Sequence, residues 1–255
     1  MPITAHLEEL RRRLITSIVA VIIGFGATYY FAPKLFEILM APLVGALPPE
    51  STLIFTGVTE AFFTYLKMAL LAGFFLASPL VLYEIWAFVS PGLYKREKTW
   101  VIPFVVFSTL FFIGGALFGY FVVFPYGFKF LLSYATDMIR PLPKVKEYFS
   151  LASRMLLAFG AVFELPLFVF FLTKMGLVTS RTLIDKFKYA IIIIFAISAI
   201  LTPPDVVTQL MMAGPLLALY GLSVIVAIVF EKKVEKEEET EEEEGEEEEE
   251  SDLDE

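Results

Sequence analysis

An all-α, polytopic membrane protein with six transmembrane helices is the fold this sequence predicts, on three observations. Its apolar fraction is 57%, its mean hydropathy +0.72 and its phenylalanines number 27, whereas a soluble domain of this length needs far more polar surface. Apolar runs long enough to cross a bilayer core of about 30 Å, at about 1.5 Å per helical residue, recur along the chain. The connectors between them alternate between rich and poor in Lys and Arg, as loops on opposite sides of a membrane do.

Span one, 14–31, follows Arg11, Arg12 and Arg13 and closes at Pro33 and Lys34. No small-residue cleavage pattern follows it and it outlasts a signal's apolar region, so it is expected to be retained. In the mixed stretch 33–59, Leu35, Phe36, Ile38, Leu39 and Leu43 recur at helical spacing, which predicts a short interfacial helix, then a turn, in an ordered external cap. Span two, 62–88, holds Lys67 near its outer end, where it can snorkel, and Pro79, which is expected to kink it. The connector 86–100 is bracketed by Trp86 and Trp100, the only tryptophans, whose indoles favour the headgroup layer; Pro91 and Gly92 stop the helix.

Span three, 101–124, carries Gly115 and Gly119 at the spacing that permits close helix approach, a common chance pattern. A second cap, 126–148, contains Asp137, Arg140, Pro141, Pro143, Lys144, Lys146 and Glu147. Span four, 149–172, includes Arg154 and Glu164, and the basic loop 174–188 offers Thr179 or Ser180 as the cap of a short helix. Span five, 189–201, is only about 20 Å long as a helix, and span six, 206–230, contains Pro215. No internal repeat relates the two halves, which weakens a transporter built from inverted repeats.

Basic residues set the orientation. One side collects Arg11, Arg12, Arg13, Lys95, Arg96, Lys98, Lys174, Arg181, Lys186, Lys188, Lys232, Lys233 and Lys236, and the other only Lys34, Lys129, Arg140, Lys144 and Lys146. Both termini and the 86–100 loop are therefore expected in the cytoplasm. The segment 231–255 holds seventeen acids against three lysines, so the rest of the chain is net positive although the whole carries −9. Such a glutamate run cannot bury a core and is expected to be a disordered, solvated tail.

There is no cysteine and a single histidine, His6, which excludes disulfides and a Cys/His metal site. His6-Leu-Glu-Glu-Leu is not H-E-x-x-H, and no G-x-S-x-G elbow or glycine-rich phosphate cradle is present, so no enzyme, cofactor or nucleic-acid partner is expected. The acids carry more information. Glu8 and Glu9 stand at i,i+4 spacing from Arg12 and Arg13, in a helix that Thr4 can cap, which is the pattern of surface ion pairs. Glu97 sits alone among Lys95, Arg96 and Lys98. Glu9 and Glu97 share the inner membrane surface, where each carboxylate can also take a guanidinium in two parallel bonds. Glu164 lies deep in an apolar run, where an ionised acid costs at least roughly 2.5 kcal/mol. Protonated, it can serve the carbonyl of Val162, which Pro166 leaves without a donor; the alternative is a polar docking point for a partner helix or peptide.

Together His6-Leu-Glu-Glu-Leu-Arg, Ala41-Pro-Leu43, Ser78-Pro-Leu, Tyr83-Glu-Ile-Trp-Ala-Phe-Val-Ser-Pro-Gly-Leu-Tyr-Lys-Arg-Glu97, Phe121-Val-Val-Phe-Pro125, Phe163-Glu-Leu-Pro166 and Leu201-Thr-Pro-Pro-Asp205 resemble the TatC family. That family is the multispanning receptor subunit of the twin-arginine, Sec-independent protein translocase, and the resemblance covers the chain to about residue 230. It implies a glove-like, concave arrangement of six helices in the prokaryotic cytoplasmic (inner) membrane and binding of twin-arginine signal peptides of folded cargo. It also implies single-span partners of the TatA and TatB type, within a larger self-associating complex. By position, Glu9 and Glu97 would receive the paired arginines, with Glu8 as a neighbouring substitute and Phe88, Pro91, Leu93 and Tyr94 shaping the site. Glu164 would be the buried acid of the glove, and Thr202, Asp205 and Gln209 would belong to a partner-docking region. The rival reading is a proton- or ion-coupled solute transporter that titrates Glu164, and a ligand-free scaffold is the third.

Overall fold

The computed structural model describes residues 3–48, 51–89, 101–136, 140–202 and 205–253. The helices in chain order are α1 (Ile3–Tyr29), α2 (Ala32–Val44), α3 (Glu60–Val89), α4 (Val101–Phe118), α5 (Phe124–Leu132), α6 (Val145–Phe163), α7 (Leu165–Lys174), α8 (Ser180–Asp185), α9 (Phe187–Leu201) and α10 (Val206–Leu253), with a π-helical turn at Gly119–Val123. Two compact units divide the chain, Met1–Glu164 with Ser198–Met212, and Leu165–Ile197 with Ala213–Glu255.

Four described helical stretches are long and apolar enough to cross a membrane: Glu60–Val89, Ile102–Leu132, Val145–Lys174 and Val206–Glu231. His6–Tyr29 and Ala32–Val44 meet at a bend of 88° and reach membrane length and apolarity only when taken together, and Phe187–Leu201 is a shorter apolar helix. The helix of span three continues eight residues past the expected end at Phe124, to Leu132. Pro125 has no N–H for the carbonyl of Phe121, and the wider π turn just before it, closed by Phe124 N–H on Gly119 O, lets the helix absorb that missing bond. Pro79 does not break α3, which runs unbroken from Glu60 to Val89; the Ser78 hydroxyl donates to Phe75 O at 2.8 Å, taking the acceptor that proline leaves. Pro166 has the opposite effect, and α6 stops at Phe163 with Glu164 outside the helix.

In the first unit α1 and α3 cross at glycines. A Cβ on Gly24 would lie 2.4 Å from Gly73 O, and one on Gly73 would lie 2.4 Å from Phe25 N, so only hydrogen fits at this crossing. The Thr28 hydroxyl donates across it to Ala69 O at 2.7 Å. Gly73→Ala is expected to destabilise the protein by about 1–3 kcal/mol. Thermal unfolding in detergent checks this, with Gly26→Ala as the control because a Cβ there meets nothing within 4 Å. The pair Gly115 and Gly119 also marks a close crossing: a Cβ on Gly115 would lie 2.5 Å from Phe159 O and one on Gly119 2.9 Å from the Phe159 ring, so α4 and its π turn press on α6.

The predicted interfacial helix is α2, which buries Ala32, Phe36, Leu39 and Leu43. Its carbonyls are held by phenols, Tyr120 on Ile38 O at 2.5 Å and Tyr148 on Leu39 O. The two expected caps are joined: Ile54 pairs with Lys144 in a parallel bridge, through Ile54 N–H to Pro143 O (3.1 Å) and Val145 N–H to Ile54 O (2.9 Å). Glu60 reinforces the junction, accepting from Thr56 N–H at 2.8 Å, Gly57 N–H at 3.2 Å and Lys146 N–H at 2.9 Å.

In the second unit α7 ends at Lys174 and the chain turns at Gly176, whose φ of 68° is open to glycine, with Leu177 N–H closing on Leu172 O at 3.0 Å. Of the two expected caps Thr179 is the one used, accepting from Thr182 N–H at 3.2 Å. The other, Ser180, gives its N–H to Glu231 at 2.8 Å, and the Tyr220 hydroxyl donates to Leu183 O at 2.8 Å, so α8 is tied to α10. Helix α10 runs to Leu253, where the charge run predicts a disordered tail; glutamate is an intrinsically good helix former.

Candidate functional site

The N-terminal part of α1 meets the C-terminal part of α3 through a guanidinium. Arg13 Nε and Nη2 donate to Glu9 Oε1 at 3.0 and 2.6 Å, and Nη1 donates to Glu84 Oε2 at 3.0 Å. The side chains of Arg13, Glu9 and Glu84 are 23%, 26% and 14% exposed, so the cluster is partly desolvated yet open to an incoming group. One turn outward on each helix, His6 stacks on Phe88 with ring centroids 4.5 Å apart. One positive charge faces two negative ones here, and neither Glu9 Oε2 nor Glu84 Oε1 has a hydrogen-bond partner among the described residues. The predicted Glu9/Arg13 pair is present, whereas Glu8 is exposed and makes no ion pair with Arg12 among the described residues.

A second polar chain links α3, α4 and the end of α6. Trp86 Nε1 donates to the fully buried Ser108 hydroxyl at 2.9 Å, and that hydroxyl donates to Glu164 Oε2. Glu164 Oε1 is buried and has no partner among the described residues. Glu164 thus reaches a neighbouring helix instead of turning back on Val162. Its position follows from Pro166, which ends α6 and leaves the acid in a break of the helix, where the side chain turns toward α4.

Thr202, Asp205 and Gln209 form a third group, where α9 gives way to α10. Thr202 donates to Ser198 O at 2.8 Å, Asp205 caps α10 by accepting from Thr208 N–H at 2.8 Å and from its hydroxyl, and Gln209 N–H reaches Asp205 O at 3.2 Å. Thr202 and Thr208 also border a cavity of about 20 Å³ beside Phe124 and Met155. Among the described residues no cluster of three or more His, Asp or Glu could hold a metal ion. The expected site residues Glu97, Pro91, Leu93 and Tyr94 lie outside the described residues.

Three participants were not singled out from the sequence: Glu84, Trp86 as a donor, and Ser108. Glu84 had a readable signal, being an acid inside the apolar run 62–88 just as Glu164 is inside 149–172. Ser108 had none, because serine in an apolar helix commonly bonds its own backbone.

Residues 5–215 match the family model described as "Sec-independent protein translocase protein (TatC)". A curated relative from Desulforapulum autotrophicum, named as that protein, is 55% identical over 232 residues, covering 91% of this chain and 86% of its own length. The chain belongs to the TatC family. A TatC relative from Aquifex aeolicus is 45% identical over 226 residues, covering 88% of this chain and 93% of its own. A crystal structure of the twin-arginine translocase receptor TatC superposes with a TM-score of 0.80 at 44% identity, covering 88% of this chain and 98% of that one. TatC is a family of Sec-independent protein translocase subunits, so the work of this multi-pass membrane chain is protein translocation as part of the Tat complex. No TatC chain in these matches is named as an enzyme.

Proposed function

We propose that this TatC chain is the receptor that takes up twin-arginine signal peptides of folded cargo at the cytoplasmic face of a prokaryotic inner membrane. Six spans leave both termini inside, with the acidic segment 231–255 as a solvated cytoplasmic extension, and single-span TatA- and TatB-type subunits dock on assembled copies. The observation that carries this reading is the partly desolvated carboxylate of Glu9, already holding one guanidinium through Oε1 with Oε2 left over. A carboxylate that accepts Arg13 in this way is chemically suited to a second guanidinium, and Glu97 supplies the other acceptor. Arginine is required over lysine because its planar fork makes two directed bonds, where an ammonium offers a point charge. Phe88, Pro91, Leu93 and Tyr94 flank the peptide, while Glu164, Thr202, Asp205 and Gln209 serve a partner helix.

The α3 end connects these roles. Glu84 and Phe88 are four residues apart on one face, and Trp86 between them is rotated about 200° from Glu84, toward Ser108 and Glu164. The test is binding of a signal peptide carrying Arg-Arg against the same peptide carrying Lys-Lys to the protein in nanodiscs. The Arg-Arg peptide is expected to bind roughly tenfold or more tightly, the equivalent of about 1.4 kcal/mol. Equal affinity overturns the receptor reading.

A further inference from the structure

We propose that the first turns of α3 and α6 form a binding site for the phosphate of an anionic phospholipid, held by Lys67 and Lys146. Two adjoining cavities, of about 350 and 210 Å³, share Thr64, Lys67 and Lys146 in their walls. The first lies over the 56–60 turn, and the second is lined by Phe149, Ser150 and Ser153. Both lysines are exposed, and neither makes an ion pair among the described residues.

The acids nearby are engaged elsewhere. Glu60, which also lines the larger cavity, has one oxygen on the N–H groups of Thr56 and Gly57 and the Thr56 hydroxyl, and the other on Lys146 N–H. Glu147 is paired with Lys144 at 3.1 Å. Two cations thus border a recess whose carboxylate is already held by the N–H groups of Thr56, Gly57 and Lys146 and the Thr56 hydroxyl, an arrangement that attracts an anion.

Depth and surface select a lipid over a free ion. Lys67 stands seven residues after Glu60, about 10 Å along the helix from its start, and both α3 and α6 belong to membrane-length stretches. That puts Lys67 within reach of the headgroup layer, where a long side chain extends toward phosphate. On α3, Phe63 and Leu70 fall at i−4 and i+3 from Lys67, hence on its face, and they are 51% and 47% exposed. An anionic phospholipid satisfies both requirements, with phosphate on the lysines and acyl chains along Phe63 and Leu70. The Ser150 hydroxyl, unpartnered among the described residues, supplies a further donor beside the recess.

The experiment is native mass spectrometry of the full chain released from vesicles of equal phosphatidylglycerol and phosphatidylcholine. The wild type is expected to retain phosphatidylglycerol preferentially, with retention falling about fivefold for each lysine removed in K67Q and in the K67Q/K146Q pair. K67R/K146R is expected to keep it, and circular dichroism of each variant verifies the helical fold. Equal retention of both lipids by the wild type overturns the proposal, as does unchanged retention in the folded double variant. Displacement of the signal by millimolar inorganic phosphate, with no lipid preference, identifies a free anion site and also overturns it. None of these readouts depends on signal-peptide binding.

Discussion

Glu97→Gln is expected to abolish export of twin-arginine cargo while leaving the chain folded and inserted, and to remove crosslinking of the signal peptide. The isosteric amide keeps the shape of the side chain but lacks the charge, and it can no longer accept both arms of a guanidinium. A hydrogen bond to a charged group is worth about 1.5–3 kcal/mol, which corresponds to a loss of roughly 10- to 150-fold in peptide affinity. Crosslinking in membranes together with an export assay reads this directly, and normal crosslinking in the variant refutes the assignment. Glu9→Gln is expected to do less damage. Arg13 would keep Glu84, and Glu8 stands one residue away as an alternative acceptor. Rescue by Glu8 is expected to be partial, because Glu8 has no ion pair fixing it among the described residues. Ordering such a side chain costs up to about 2 kcal/mol, a cost already met for Glu9 by its bonds to Arg13.

The legibility of this fold depends on how local each cause is. Apolar run length and Lys/Arg spacing act within one helix or loop, so helices near the expected spans, the α2 cap and the Glu9/Arg13 pair could be read directly. Proline was legible in kind but not in effect. Pro79, Pro125 and Pro166 each remove one donor, and the neighbours decide how the helix responds: with a serine hydroxyl at Ser78, a π turn at Gly119–Val123, or a helix end at Phe163. Contacts between helices were the least accessible. Nothing near Gly24 announces that its partner is Gly73, some fifty residues on, and nothing near Ser108 announces that it joins Trp86 to Glu164. Gly115 and Gly119 carried a pattern too common to be weighted, although both turn out to face Phe159. The family resemblance implied roles for Glu9 and Glu164, and the structure places Glu9 against Arg13 and Glu164 against Ser108. The resemblance did not supply Glu84, whose part is visible only because Arg13 reaches across from α1.

Glu164→Ala is expected to spare initial peptide binding and to block a later step of transport, whereas Glu164→Gln is expected to retain most export. In the alanine variant Ser108 loses its acceptor inside the membrane and Trp86 loses a fixed partner, at a cost of about 1–3 kcal/mol for the group left unsatisfied. Glutamine keeps an oxygen where Ser108 donates, and its amide offers a donor to whatever meets the now unpartnered Oε1 position. Measuring peptide crosslinking and export on the same two membranes separates the possibilities. A polar anchor predicts that Gln works and Ala fails after binding, while a transport step that titrates Glu164 predicts that Gln fails as completely as Ala, since the amide cannot titrate. Loss of peptide binding in Ala would instead tie Glu164 to the first encounter. That outcome has a physical route through α3, because Trp86 lies two residues from both Glu84 and Phe88, and slackening it would loosen the helix end that holds Arg13.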